Sequence, residues 1–149
     1  MDPILTGLLK PKSIAIIGAS TNPTKIGYKV VLNLIESQYK GGIYPVNPSA
    51  TEILGLKCYP TVNDIPYVVD AAVITVPAKG VLEVTKQCGE KGVKGLIIIT
   101  SGFGEVGDVE LEREIVRVAK SYGMRVLGPN IVGTLSNSDH MNASFAPFL

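Results

Sequence analysis

The segment Gly18-Ala19-Ser20-Thr21-Asn22-Pro23-Thr24-Lys25-Ile26-Gly27 combines the residue types that let a backbone close around a phosphate. Small side chains permit close approach, and a helix starting near Gly27 would point unpaired N–H groups at an anion. Lys25 adds a positive charge. Tight turns after strands need glycine for structural reasons alone, however, and the spacing departs from G-x-G-x-x-G. Ser20 holds the middle glycine position and the next glycine is Gly27. By itself this loop is a weak signal. Four further segments of similar character follow β-rich runs: Asn47-Pro48-Ser49, Pro77-Ala78, Ser101-Gly102-Phe103-Gly104-Glu105 and Gly128-Pro129-Asn130. In open parallel sheets ligands bind beyond the carboxyl ends of the strands. All these strand ends are small, polar or Gly/Pro, and that coincidence says more than any single motif.

The loop after the second β-rich run separates ligand classes. A dinucleotide site with NAD uses an Asp or Glu about 20 residues past the glycines to bond the ribose 2′-OH. Here the run ends Pro45-Val46-Asn47-Pro48-Ser49, and the first acid is Glu52, past the turn. A phosphorylated ribose, as in CoA or NADP, would be repelled by a carboxylate and accepts hydrogen bonds from Asn and Ser. NADP would favour an arginine, and none lies between Met1 and Glu112.

The elements that must position these loops follow from periodicity. Ser13–Ile17, Ile43–Val46, Ala71–Val76, Gly95–Thr100 and Arg125–Leu127 read as short strands, continuously apolar as expected when both faces are buried. Between them lie helical stripes. Val30, Val31, Leu34 and Ile35 mark one, Val81, Leu82, Thr85 and Cys88 another, and Leu111, Ile115, Val118, Ala119 and Tyr122 the clearest. A helical turn is expected near Val62–Ile65, and Gly41, Gly92 and Gly123 close helices or the turns after them. The alternation predicts an α/β, Rossmann-like fold: a mostly parallel sheet with helices on both faces, in one domain over residues 1–149. Leu135–Leu149 reads as polar and irregular up to Phe145-Ala146-Pro147-Phe148, a lead into something further rather than a finish.

Composition excludes several classes. Apolar residues are 46% and charged residues 18%, too apolar for a disordered chain. A formal charge of +1 offers no basic stripe to nucleic acid. No apolar run approaches the roughly 18 residues of a membrane span. Met1-Asp2-Pro3-Ile4 lacks the regions of a signal peptide, so the chain is expected to be cytoplasmic. Cys58 and Cys88 have no metal-ligand spacing and are expected to be free buried thiols, with a bridge as the alternative. Asp70 is read as a turn or cap at the amino end of the third strand, and Asp108 as an N-cap. Glu110, Glu112, Arg113 and Glu114 read as a solvated helix face, while Glu105 faces the crevice and is a candidate for function.

The runs IAIIGAS (14–20), YPVNPS (44–49), ILGLKCYPT (53–61), DAAVITVPA (70–78), GLIIITSGFGE (95–105), GPNIVG (128–133) and MNASFAP (141–147) resemble the CoA-binding domain of ADP-forming acyl-CoA synthetases. That superfamily includes ADP-forming acetyl-CoA synthetase and the succinyl-CoA synthetase α subunit. The resemblance runs in order from about Leu8 to Pro147. It implies that Gly18, Ala19, Ser20 and Lys25 hold the CoA phosphates, and that Asn47, Pro48 and Ser49 sit by the 3′-phosphorylated ribose and adenine. It further implies that Val76, Pro77 and Ala78 pack on the adenine and pantetheine. Ser101, Gly102 and Phe103 would line the thiol, and Gly128-Pro129-Asn130 would face the reaction centre, with Asn130 as possible support. Relatives often carry Cys after Asn130, where this chain has Ile131. Succinyl-CoA synthetases commonly carry Lys where it has Ser49, which leans toward the acetate-type branch.

The resemblance implies a fragment that binds CoA for a ligase interconverting acyl-CoA, ADP and phosphate with acid, CoA and ATP. The phosphohistidine would come from a later domain. The chain's one histidine, His140, matches no histidine motif of the family and is read as a surface or structural residue. ATP binding would also lie elsewhere, since no G-x-x-x-x-G-K-[ST] run is present. Expected partners are the remaining synthetase domains or a β subunit, in an oligomer, without nucleic acid or membrane. Alternatives are a stand-alone CoA-binding or regulatory protein, the front part of a lysine acetyltransferase, and, disfavoured by the second-strand loop, an NAD(P)-linked domain.

Overall fold

Asp2 accepts a hydrogen bond from the Ile4 N–H and Pro3 occupies the first helical position, so the chain enters through a short helix, α1 (Pro3–Leu9). The computed structural model describes residues 2–147. Strand β1 (Ser13–Ile17) is buried along its whole length; it leads to α2 (Ile26–Glu36) and β2 (Gly42–Val46). A small antiparallel pair, β3 (Glu52–Ile53) and β4 (Leu56–Lys57), and a 3₁₀ turn at Val62–Asp64 precede β5 (Ala71–Ile74). Then come α3 (Ala78–Lys91), β6 (Gly95–Ile98), α4 (Val109–Ser121) and β7 (Arg125–Leu127). The chain ends in an antiparallel pair, β8 (Gly133–Ser136) and β9 (Met141–Ser144).

The five main strands are parallel in the order β2-β1-β5-β6-β7. The order reverses between β1 and β5, which opens a crevice beyond their carboxyl ends. Pleating sends Ala15, Ile17, Ala72 and Ile74 to the α3–α4 face, and Ile14, Ile16 and Val73 to the face covered by α1 and α2. Both faces are filled, which is why the central strands are continuously apolar. Cys88 lies in the first of these clusters and Cys58 in the second, both free, as expected from the sequence. Burial pushes the Cys88 thiol up to about 12, so it stays protonated and inert at neutral pH.

Asp108 caps α4, accepting from the Leu111 N–H, and Gly92 ends α3 in the left-handed conformation, both as expected. The third and fourth predicted strands stop two residues early, at Ile74 and Ile98. Asp70 proves more than a turn residue. It is buried, accepts from the Lys12 N–H at 2.9 Å and pairs with Lys94 Nζ at 3.3 Å, tying the amino ends of three strands together. Helix α1 went unpredicted, its seven residues being too short for a period to show.

The larger correction concerns the end of the chain. Residues 135–147 are not an irregular lead but carry most of the β8–β9 hairpin, with Met141–Ser144 wholly buried against α2; Phe148 and Leu149 lie outside the described residues. Asn142 and Ser144 made the segment look polar. Each is satisfied: Ser144 Oγ donates to Asn142 Oδ1 at 2.6 Å, and the Asn142 N–H donates to Ser37 Oγ at 3.2 Å. From the interior of α2, Asn33 Nδ2 donates to the carbonyls of Ser144 (2.8 Å) and Ala146 (2.9 Å). An Asn33→Leu change leaves two carbonyls without their donor, at a cost of about 2 kcal/mol. Thermal melting of this chain should fall by about 6 °C, with hydrogen exchange accelerated first at residues 141–146.

Candidate functional site

The first loop is clamped at both ends. Gly18 sits at φ +98°, where a Cβ would meet Thr75 Oγ1 at 2.4 Å, and its N–H and that of Ala19 donate to the Val46 carbonyl. A Cβ on Gly27 would lie 2.0 Å from the Gly18 carbonyl oxygen. The glycines therefore answer a packing demand: they let the start of α2 press against the turn out of β1. The residues between them form an ordered turn. Asn22 Oδ1 accepts from the N–H (3.0 Å) and hydroxyl (2.8 Å) of Thr24, while Ser20 Oγ accepts from the Asn22 N–H at 3.0 Å.

This loop bounds a cleft of about 850 Å³ at the carboxyl ends of β1, β2, β5 and β6. Helix α2 opens onto it with Lys25 at the N-cap, no side-chain cap and no acid in the first turn. Its leading N–H groups and the positive end of its dipole are thus left for an anion. Lys25 is the one charged residue on the described wall. Gly18, Ala19, Ser20, Lys25, Asn47, Pro48, Val76, Pro77, Ala78 and Ser101, all selected from the sequence, line this cleft together.

Four selected residues fall elsewhere. Ser49 is exposed beyond the wall, its N–H donating to Asn47 Oδ1 at 2.7 Å. Gly102 takes φ +103° and turns the chain inward, so Phe103 is 0% exposed in the core beneath the site and presents no side chain to a ligand. Asn130, also at positive φ, donates its N–H to the Thr100 carbonyl at 3.0 Å and faces a smaller adjoining chamber. Asn47 does reach the cleft, but its amide is committed: Nδ2 donates to the Ala19 carbonyl at 2.8 Å, joining second loop to first. Glu105 bonds within its own loop. Donation from the Gly102 N–H holds its carboxyl below the usual range. His140 is exposed between β8 and β9, off the cleft.

Sequence reasoning passed over several walls. Thr75 and Thr100 each follow a strand end, donating from Oγ1 to the Ile17 (3.2 Å) and Val76 (2.6 Å) carbonyls. Val84 and Gln87 face the cleft one helical turn apart on α3, and Pro60 and Thr61 arrive from the segment after β4. Helical spacing on α3 was the available signal for the first two. Pro60 and Thr61 end the ILGLKCYPT run, to which no role was attached, and the isolated pairing of Tyr59 with Val46 brings them beside β2. Among the described residues no group of His, Cys, Asp or Glu could hold a metal ion.

Residues 12–136 match the family described as a CoA binding domain. The alpha subunit of ADP-forming acetate–CoA ligase I from Pyrococcus furiosus is 50% identical over 149 aligned positions, covering 96% of this chain and 32% of that protein. Acetate–CoA ligase [ADP-forming] II of Archaeoglobus fulgidus is 49% identical over 97% of this chain, 22% of its own length. Among solved structures, the dinucleotide-forming acetyl-coenzyme A synthetase 1 of Ca. Korarchaeum cryptofilum, in complex with phosphate and ADP, superposes with a TM-score of 0.94 at 55% identity. It is covered for 31% of its length, against 96% of this chain. A shorter hypothetical protein from Pyrococcus horikoshii gives 0.69 at 32% identity, covering 85% of this chain and 82% of that one. The chain thus spans between a fifth and a third of the curated relatives it matches, and with an anion-ready cleft at the switch point of a parallel sheet it belongs to the CoA-binding domain family.

Proposed function

We propose that this chain holds CoA as the CoA-binding part of an ADP-forming acyl-CoA synthetase of the acetate type. The observation that carries the reading is the cleft itself: an uncapped helix N-terminus, Lys25 as the one charge, and no carboxylate on the described wall. CoA supplies a thiol to carry the acyl group. On this chain, Ser20, Lys25 and the first N–H groups of α2 hold the pyrophosphate. Pro48, Pro60 and Val84 provide apolar surface for the base, and Val76, Pro77 and Ala78 flank the pantetheine. Ser101 stands at the end of the cleft beside the chamber that Asn130 faces.

The remaining chemistry belongs to segments outside these 149 residues. The phosphorylated histidine, the nucleotide site and any acid-activating groups would come from the rest of the synthetase or from a β subunit, assembled as an oligomer in the cytoplasm. Two observations support a division of labour: relatives are named as ADP-forming ligases, one by its alpha subunit, and His140 is exposed and lines no part of the cleft. Among the described residues no helix is long and apolar enough to cross a membrane. A stand-alone CoA-binding protein is the second reading, favoured by the likeness to the shorter P. horikoshii chain; the closer superposition on the synthetase argues for the first.

Calorimetric titration of the chain should show CoA binding more tightly than NAD or NADP, since the second loop offers neither a 2′-OH acceptor nor an arginine. NAD binding as tightly as CoA would sink the assignment. Ser20→Leu places a bulky side chain against the phosphate path in a loop outside the core. CoA affinity should drop by about tenfold or more, with the circular dichroism spectrum retained. Lys25→Ala should weaken binding by about threefold at low salt and progressively less as salt screens the contact.

A further inference from the structure

The two edges of the main sheet are finished differently. Beyond β2 the chain pairs again: the Tyr59 N–H donates to the Pro45 carbonyl and the Tyr59 carbonyl accepts from the Asn47 N–H, both at 3.0 Å. Pro45 also removes a donor from that edge. At the opposite edge β7 bonds only inward. The Arg125 N–H donates to the Lys94 carbonyl at 3.1 Å, so alternation along the strand turns the Val126 N–H and carbonyl outward, where no other described segment bonds them. Such an open row of backbone groups is a template for pairing with another chain. A groove follows it. The half at the amino end of β7, about 480 Å³, is lined by Ile4, Val116 and Val126, with Lys120 and Arg125. The other half, toward Pro129, shares Val116 and Val126 and carries Glu112. Glu112, expected on a solvated face, is half-buried at this edge. The remaining charges of α4 pair along the helix, Glu110 with Arg113 and Glu114 with Arg117, and Arg125 meets Asp2 at 3.8 Å. Among the described residues Glu112 and Lys120 have no ion-pair partner.

We infer that the open edge of β7 pairs with the same edge of a second copy of this chain, the strands running antiparallel about a twofold axis through Val126. Val126 is the residue whose N–H and carbonyl both face outward, so the two copies exchange a pair of hydrogen bonds there and their sheets become continuous. An axis normal to the sheet keeps α4 on the same face in both copies and sets the two helices side by side in opposite directions. Val116 and Val126 are common to both halves of the groove and lie at its centre, so Val116 meets its own copy. Glu112 and Lys120 stand four residues to either side of Val116. The rotation therefore brings each Glu112 to Lys120 of the second copy, joining the two charges that the single chain leaves unpaired. The groove is complementary in charge to itself, as an isologous interface requires. A foreign strand would satisfy the same backbone groups, but it would not require opposite charges at equal distances from Val126. None of these residues lines the cleft, so the inference stands apart from what the cleft holds.

Sedimentation velocity on the 149-residue chain should show a single species at about 1 µM that shifts to twice its mass by about 1 mM. A chain that stays monomeric throughout would overturn the inference and leave the edge to a segment of another polypeptide. Val126→Pro removes the outward N–H without touching the ladder to β6, a placement that edge strands tolerate. It should weaken dimerisation by about tenfold or more, with the circular dichroism spectrum retained. A folded variant that dimerises like the wild type overturns the inference. Should Val126→Pro fail to fold, charge reversal decides. Lys120→Glu and Glu112→Lys should each weaken dimerisation by about tenfold, since like charges then meet at two places in the interface. An equimolar mixture of the two variants restores opposite charges at both places and should dimerise as the wild type does. Single variants that self-associate as strongly as the wild type, or a mixture no stronger than its components, would rule out the twofold arrangement.

Discussion

The carbonyl oxygen of Gly18 lies where a Cβ on residue 27 would come within 2.0 Å of it, and the placement of α2 follows from that contact. Any side chain at position 27 would push the helix away from the turn out of β1. With glycine there, the helix start stays at the mouth of the crevice, so its unpaired N–H groups point into the cleft rather than into solvent. The far half of the same helix faces a different partner: Asn33 and Ser37 bind the strand Met141–Ser144, which leads to Phe145 at the chamber beside the cleft. One close packing contact thus positions the uncapped N-terminus of α2 at the cleft and the covering hairpin along the helix.

Charge is distributed to match. The buried carboxylate of Asp70 works at the amino ends of the strands, where Lys12 and Lys94 satisfy it. At the carboxyl ends most polar groups are spent on one another. Asn47 ties two loops together, Thr75 and Thr100 tie off strand ends, and Glu105 folds back on Gly102. What remains facing the cleft is Lys25 and a helix terminus, so the electrostatics favour an anionic ligand without strong discrimination by charge alone.

Much of this was legible locally. Continuous apolar runs identified the five parallel strands, because burial on both faces removes any alternation, and the stripe from Leu111 to Tyr122 identified α4. The residues after β1, β2, β5 and β6 that line the cleft were also legible, because the topology of open parallel sheets places them together whatever their partners. Phe103 shows the limit of that rule. It follows a strand end and sits in a glycine-rich loop, yet the left-handed turn at Gly102 sends it into the core.

The sequence by itself determined the alternating α/β order, the phosphate-suited first loop and the lack of an acid in the second, because each depends on residue type and near spacing. Only the tertiary structure decided that Asn47 braces the first loop, that Pro60, Thr61, Val84 and Gln87 complete the cleft, and that Asn142 and Ser144 are buried strand residues. Those outcomes depend on contacts between distant segments. Asn33 reaches Ser144 across 111 positions of chain, and a polar residue is buried at little cost only when such a partner arrives to satisfy it.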